Sequence, residues 1–200
     1  MTDSKARDLL ALAARERKRL RRHLMVAAAF REVLQSDPIV VGGTAEEYWT
    51  AAEYHPTDLD LCAPLSPDDR AALKGLGFSR HGRHWTHPDI EVAVEFPEPF
   101  IDGDESRTHE ARVGAGRARI IGLDDLYLDR LRQSTVTEYE GIEFHSALAV
   151  AAAAFENVDW GYVRSRLSGI ARTDPSLART MRANDRRIRR RARQAADQTE

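Results

Sequence analysis

The stretch Pro38–Leu61, PIVVGGTAEEYWTAAEYHPTDLDL, decides the fold. It opens on an apolar run, Ile39 to Val41, that predicts a short buried strand. Gly42-Gly43 then permit a tight turn with close backbone approach. Thr44, with Glu47 three residues later, predicts a capping box and a helix through Trp49 to Ala52. The next strand, expected over Thr57 to Ala63, carries Asp58 and Asp60. Two residues apart on a strand, these carboxylates project to one side, while Leu59 and Leu61 point into the core. Like charges that close repel, and a divalent cation that takes oxygen ligands, Mg²⁺ or Mn²⁺, removes that cost.

A metal site of this kind needs a third carboxylate from a neighbouring strand. Ile90 to Phe96 alternates Ile90, Val92, Val94 and Phe96 against Glu91, Ala93 and Glu95, a period of two that predicts a strand with one acidic face. Glu91, at its start, is the expected third ligand, with Glu95 the alternative. Two metal ions held by such carboxylates can activate an attacking hydroxyl and stabilise a leaving oxygen. A glycine turn into a helix presents outward N–H groups, so Gly42, Gly43 and the Thr44 hydroxyl are the expected phosphate contacts. Neither GxxxxGK[ST] nor GxGxxG occurs there.

Taken in order, Gly42-Gly43-Thr44, Thr57-Asp58-Leu59-Asp60 and a later strand acid resemble the nucleotidyltransferase superfamily related to DNA polymerase beta. Within it, the stretch is most similar to the nucleotidyltransferase-like proteins of toxin–antitoxin and abortive-infection systems. The resemblance covers about Ile39 to Leu131, including the helix start Asp124-Asp125-Leu126. It implies a metal-dependent enzyme in which Asp58, Asp60 and Glu91 hold Mg²⁺ or Mn²⁺ and the 42–44 turn surrounds the outer phosphates of a nucleoside triphosphate. A hydroxyl of RNA, protein or a small acceptor would then take the nucleoside monophosphate, and a cognate protein partner is implied. The alternative is a non-catalytic protein- or RNA-binding member of the same scaffold. A metal-dependent phosphohydrolase is a third reading.

Two hundred residues suffice for one core with a helical appendage. Ser4 to Gln35 reads as one long helix ended by Asp37-Pro38, with Leu9, Leu12, Leu20, Leu24 and Val33 in its apolar stripe. Ser66 or Asp68 leads a helix ending at Lys74-Gly75, and Leu76 to Arg80 and His84 to Thr86 are expected strands. Pro97 to Ala111 reads as a polar loop and Val113 to Ile121 as a returning strand. Helices are expected from Gly122-Leu123 through Leu131, over Ser146 to Phe155, over Tyr162 to Gly169, and from Asp174-Pro175 onward, with aspartate as cap and proline in the first turn. The fold class is therefore α/β (α+β), a mixed sheet flanked by helices, with a long N-terminal helix and a helical C-terminal region. The expected division is an α/β part over 1–140 and a helical part over 141–200.

The formal charge of −2 and 31% charged residues describe an ordinary soluble protein. A single cysteine, Cys62, excludes a disulfide framework and a cysteine-based zinc site. Charged residues follow Met1, no run approaches the roughly 20 apolar residues that span a bilayer, and the cytoplasm is the expected location, with no membrane partner. The charge is uneven. Lys5 to Arg22 holds eight basic residues, Arg179 to Arg193 holds eight arginines with Asp185 as the one acid, and Glu91 to Glu110 holds seven acids with Arg107. Such positive ends suit RNA, nucleotide phosphates or an acidic partner, or form solvated helix faces. His81, His84 and His87 recur every third residue, a spacing that does not fall on one strand face. Arg80, Arg83 and Arg117 offer phosphate contacts, and Tyr48, Trp49 and Tyr54 read as core or groove lining.

Overall fold

The structure, a computed structural model, describes residues 2–51, 56–136 and 140–196. Tyr54 and the expected helix end at Ala52 lie outside them. The chain forms two compact units, one of Met1–Tyr48 with Ala52–Gly122 and the other of Trp49–Ala51 with Leu123–Glu200.

The first unit opens with a helical region divided in two, α1 (Thr2–Ala13) and α2 (Arg19–Arg31). A single helix over Ser4 to Gln35 is thus interrupted at residues 14–18. There the backbone tightens into i→i+3 bonds, Arg15 to Leu12 and Glu16 to Ala13. The Arg22 guanidinium takes the Glu16 carbonyl at 3.0 Å, which satisfies an acceptor that continued helix would have used. Folding back lets Leu9, Leu10 and Ala13 of α1 cover α2, whose run Leu24 to Phe30 is buried all round.

Seven strands follow in one mixed sheet: β1 (Ile39–Val40), β2 (Leu59–Cys62), β3 (Ser79–His81), β4 (His84–His87), β5 (Ile90–Glu95), β6 (His109–Val113) and β7 (Gly116–Ile120), ordered β3-β4-β5-β2-β1-β7-β6. The pairs β1–β7 and β2–β5 are parallel and the rest antiparallel. Two helices interrupt the strands, α3 (Gly42–Thr50) and α4 (Pro67–Gly75). The latter starts on a capping box in which Ser66 and Asp69 satisfy each other's backbone N–H. The apolar faces of β2 and β5, with Leu59, Leu61 and Val94 buried, form the core with Phe30 of α2. Phe30 stacks edge-on against Phe78 at 4.8 Å and parallel to Phe96 at 6.2 Å. Small residues set the spacing elsewhere: a Cβ on Gly116 would stand 2.9 Å from both Ala28 and Leu9. The expected loop Pro97 to Ala111 ends instead in β6, which forms a hairpin with β7 through Gly114 at φ +56°.

The second unit contains α5 (Leu123–Gln133), α6 (Ile142–Ala153), α7 (Trp160–Thr173) and α8 (Pro175–Ala196). Polar pairs on buried aspartates tie α5 to α7 and α8. Asp124 accepts the Asp159 N–H at 2.7 Å, Asp125 the Tyr162 hydroxyl at 2.7 Å, and Asp185 the Tyr127 hydroxyl at 2.9 Å. Ala178, Met181, Asp185, Ile188 and Ala192 form the inward stripe of α8. No helix among the described residues is long and apolar enough to cross a membrane.

Candidate metal centre

The sheet order brings three adjacent strands, β4, β5 and β2, to one row of side chains. Glu95 at the end of β5 is in register with Asp60 on β2 and with His84 on β4. Asp58 stands just before β2. The His84 imidazole Nε2 lies 3.8 Å from Asp58 Oδ2 and 3.6 Å from Glu95 Oε2. Donor atoms of Asp58, His84 and Glu95 all fall within 4.8 Å of one another, and all three residues are half-buried. Ligands of an ion with bonds of about 2.1 Å stand about 3 Å apart when adjacent and about 4.2 Å when opposite. Closing the cluster around a divalent ion therefore takes side-chain movements of well under about 1 Å. Carboxylate oxygens suit Mg²⁺ and Mn²⁺, and the imidazole adds a donor that suits Mn²⁺ and Zn²⁺ better than Mg²⁺.

Arg83 reaches the same Glu95 oxygen at 3.2 Å, so this carboxylate already has a cationic neighbour. A recess of about 210 Å³ is lined by the segments that follow β2 and β5 together with Arg70, Arg80, Arg83 and Trp85.

The glycine turn abuts the aspartates. Gly42 has φ +62°, and an ideal Cβ there would stand 2.2 Å from Asp60 Oδ2. The Val41 N–H donates to the Asp60 carbonyl at 3.0 Å, tying turn to strand. α3 begins at Gly42, two residues before the expected cap, because positive φ at Gly42 turns the chain directly into the helix. Its first N–H groups, those of Gly42 and Gly43, belong to half-buried residues.

Thr44 does not face outward with them. Its side chain is fully buried; the hydroxyl lies 2.8 Å from His23 Nδ1 and 3.4 Å from the Asp58 carbonyl. Burial, reinforced by the charges of Arg22 and Arg19, holds the His23 imidazole down at about 4. Thr44 thus links α2 to the backbone of Asp58, and it lies inside α3 rather than at its cap.

Glu91 is also elsewhere. It lies on the same face of β5 as Glu95 but about 13 Å along the strand. Its side chain is 88% exposed, with Arg22 Nη2 at 2.9 Å. Glu95 is the acid brought to Asp58, and Glu91 is not. Sequence reasoning passed over His84 as one of three histidines. His81 instead meets Thr86 at 3.1 Å, and His87 Nδ1 accepts the Asp89 N–H at 3.1 Å. The available signal for His84 was its position at the first residue of a strand opposite the end of β5. Trp85 and Cys62 are buried in the core.

The sequence matches no protein-family model and no curated protein sequence. The fold has a distant likeness to the crystal structure of an antigenic nucleotidyltransferase-like protein from Paracoccidioides brasiliensis, with a TM-score of 0.49 and 12% identity over 90% of this chain and 93% of that one.

Proposed function

We propose that this chain is a divalent-metal-dependent nucleotidyltransferase that moves a nucleoside monophosphate from a nucleoside triphosphate to a hydroxyl of RNA, protein or a small acceptor. The observation that carries the reading is the convergence of Asp58, His84 and Glu95 within 4.8 Å beside a glycine turn pressed on Asp60. Its second support is the resemblance of the Gly-Gly, Thr-Asp-x-Asp and later acid order to that superfamily. The same resemblance suggests a role in a toxin–antitoxin or phage-defence system with a cognate partner.

Asp58, Asp60 and Glu95 would hold Mg²⁺ or Mn²⁺, with His84 as a further donor. When bound, such an ion draws charge from phosphate oxygens and lowers the pKa of a coordinated hydroxyl. The backbone N–H groups at the start of α3 would orient the outer phosphates. The acceptor oxygen attacks the α-phosphorus, the bond to the bridging oxygen of the β-phosphate breaks, and pyrophosphate leaves with that electron pair. The hydroxyl proton passes to Glu95 or to water. Most of the catalysis on this reading is positioning and electrostatic stabilisation.

The non-catalytic alternative is favoured by Arg83, which supplies Glu95 with a positive partner of its own. Transfer of labelled nucleoside monophosphate from each of the four triphosphates, with Mg²⁺ or Mn²⁺, separates the two. Transfer lost in Asp58→Asn and in Glu95→Gln supports the enzyme. Absence of transfer, together with absence of Mn²⁺ binding by calorimetry, supports the alternative.

A further inference from the structure

The arginines of α8 divide into two sets. Arg187 and Arg191 pair with Glu140 and lie over the Phe144 ring, while Arg189 approaches Asp185 at 3.8 Å and covers Trp160. The other five, Arg179, Arg182, Arg186, Arg190 and Arg193, are all exposed. Their spacing of three or four residues puts them within about 80° of one another on the helix, in a row about 21 Å long. Among the described residues, no carboxylate lies within ion-pair distance of any of the five. Arg182 bonds the Ser168 hydroxyl at 3.4 Å, so the row borders α7, where Arg164 and Arg172 are also exposed four residues either side of Ser168.

We propose that this row is a docking surface for the sugar–phosphate backbone of double-stranded RNA. Five adjacent guanidinium groups repel one another, with Asp185 acting on Arg186 from beyond ion-pair distance, and a polyanion with regular charge spacing offsets that cost. The planar forks of arginine take phosphate oxygens in pairs. The row contains no side chain suited to stacking: the rings of Trp160 and Phe144 already lie under arginines. That argues against single strands, which are bound through base stacking. α8 packs along both α6 and α7, so the row lies on the face of the helix left open to a partner. Contact along the backbone by shape and charge, without base reading, is the mode by which duplex RNA is bound. This surface stands independently of the carboxylate cluster.

The test is fluorescence anisotropy of the full chain with a labelled 20-base-pair RNA duplex, the same DNA duplex, single-stranded RNA, and anionic phosphatidylserine vesicles. Five phosphate contacts give a slope of log affinity on log salt of about −4.5, a loss of about 500-fold between 50 and 200 mM. Replacing Arg179, Arg186 and Arg190 together by Gln is expected to reduce the slope to about −1.8 and the loss to about 12-fold, with helicity by circular dichroism unchanged. Arg187→Gln is expected to leave the slope unaltered. A slope insensitive to the triple change overturns the proposal, as does binding to DNA, single strands or vesicles as tight as to the RNA duplex.

Discussion

The Asp60 carboxylate occupies the space that a Cβ at position 42 would need, 2.2 Å from its Oδ2. Gly42 also sits at φ +62°, where an L side chain costs about 1–2 kcal/mol. Backbone and carboxylate therefore both require glycine. Gly42→Ala is expected to lower stability by that amount and displace Asp60, with Mn²⁺ affinity falling at least about tenfold, about 1.4 kcal/mol. Calorimetric titration of the folded variant checks it; unchanged affinity would separate the turn from the metal site.

Glu95 and Glu91 share one face of β5 but should behave differently. Glu95→Gln is expected to abolish Mn²⁺ binding and any transfer. Glu91→Gln should leave both intact, and its loss of stability should stay below about 1 kcal/mol, because the pair with Arg22 is largely solvated on the glutamate side. Parallel titrations of the two variants decide the matter. The reverse pattern would restore Glu91 as the ligand.

His84 is expected to set metal preference. Replacing it with Gln removes an imidazole donor suited to Zn²⁺ and Mn²⁺ while leaving the carboxylates in place. Zn²⁺ affinity should fall by about tenfold or more and Mg²⁺ affinity by less than about twofold. Equal losses for both ions would show that His84 acts through packing alone.

His23 predicts an acid limb in stability. An unfolded histidine titrates near 6.5, whereas burial holds this one down at about 4. The folded protein favours the neutral ring, so the contribution is complete above about pH 6.5 and is lost as pH falls towards 4, in all about 3 kcal/mol. His23→Gln should flatten that limb. Urea unfolding at several pH values between 7 and 4 measures it, and parallel curves for the two proteins would contradict the assignment.

In the helical unit, the buried Tyr127 hydroxyl donates to Asp185, a carboxyl whose pKa burial pushes up. Tyr127→Phe deprives that group of a donor and is expected to cost about 1–3 kcal/mol in denaturant unfolding. A cost below about 0.5 kcal/mol would mean that the pair is not a fixed part of the interior.

Much of the fold was legible in local sequence because its causes are local. The period of two over Ile90 to Phe96 became β5, Ser66, one of two expected helix leaders, became the cap of α4, and Asp174 caps α8 by accepting the Leu177 N–H at 2.9 Å. Less legible was the break between α1 and α2, which depends on Arg22 reaching back to the Glu16 carbonyl. β6 was hidden in a polar stretch, since its partner β7 rather than its own composition makes it a strand.

The site divides in the same way. The sequence alone determined that a glycine turn precedes a strand carrying Asp60, with Asp58 just before it, because strand alternation and glycine's φ freedom belong to neighbouring residues. It also placed Glu91 and Glu95 on one acidic face. Parity is identical for residues four apart, so only the parallel register of β2 with β5 could select Glu95, and only the antiparallel register of β4 could add His84. Tertiary packing likewise turned Thr44 inward to His23. Those choices rest on contacts between residues distant in the chain, whose spacing no local pattern records.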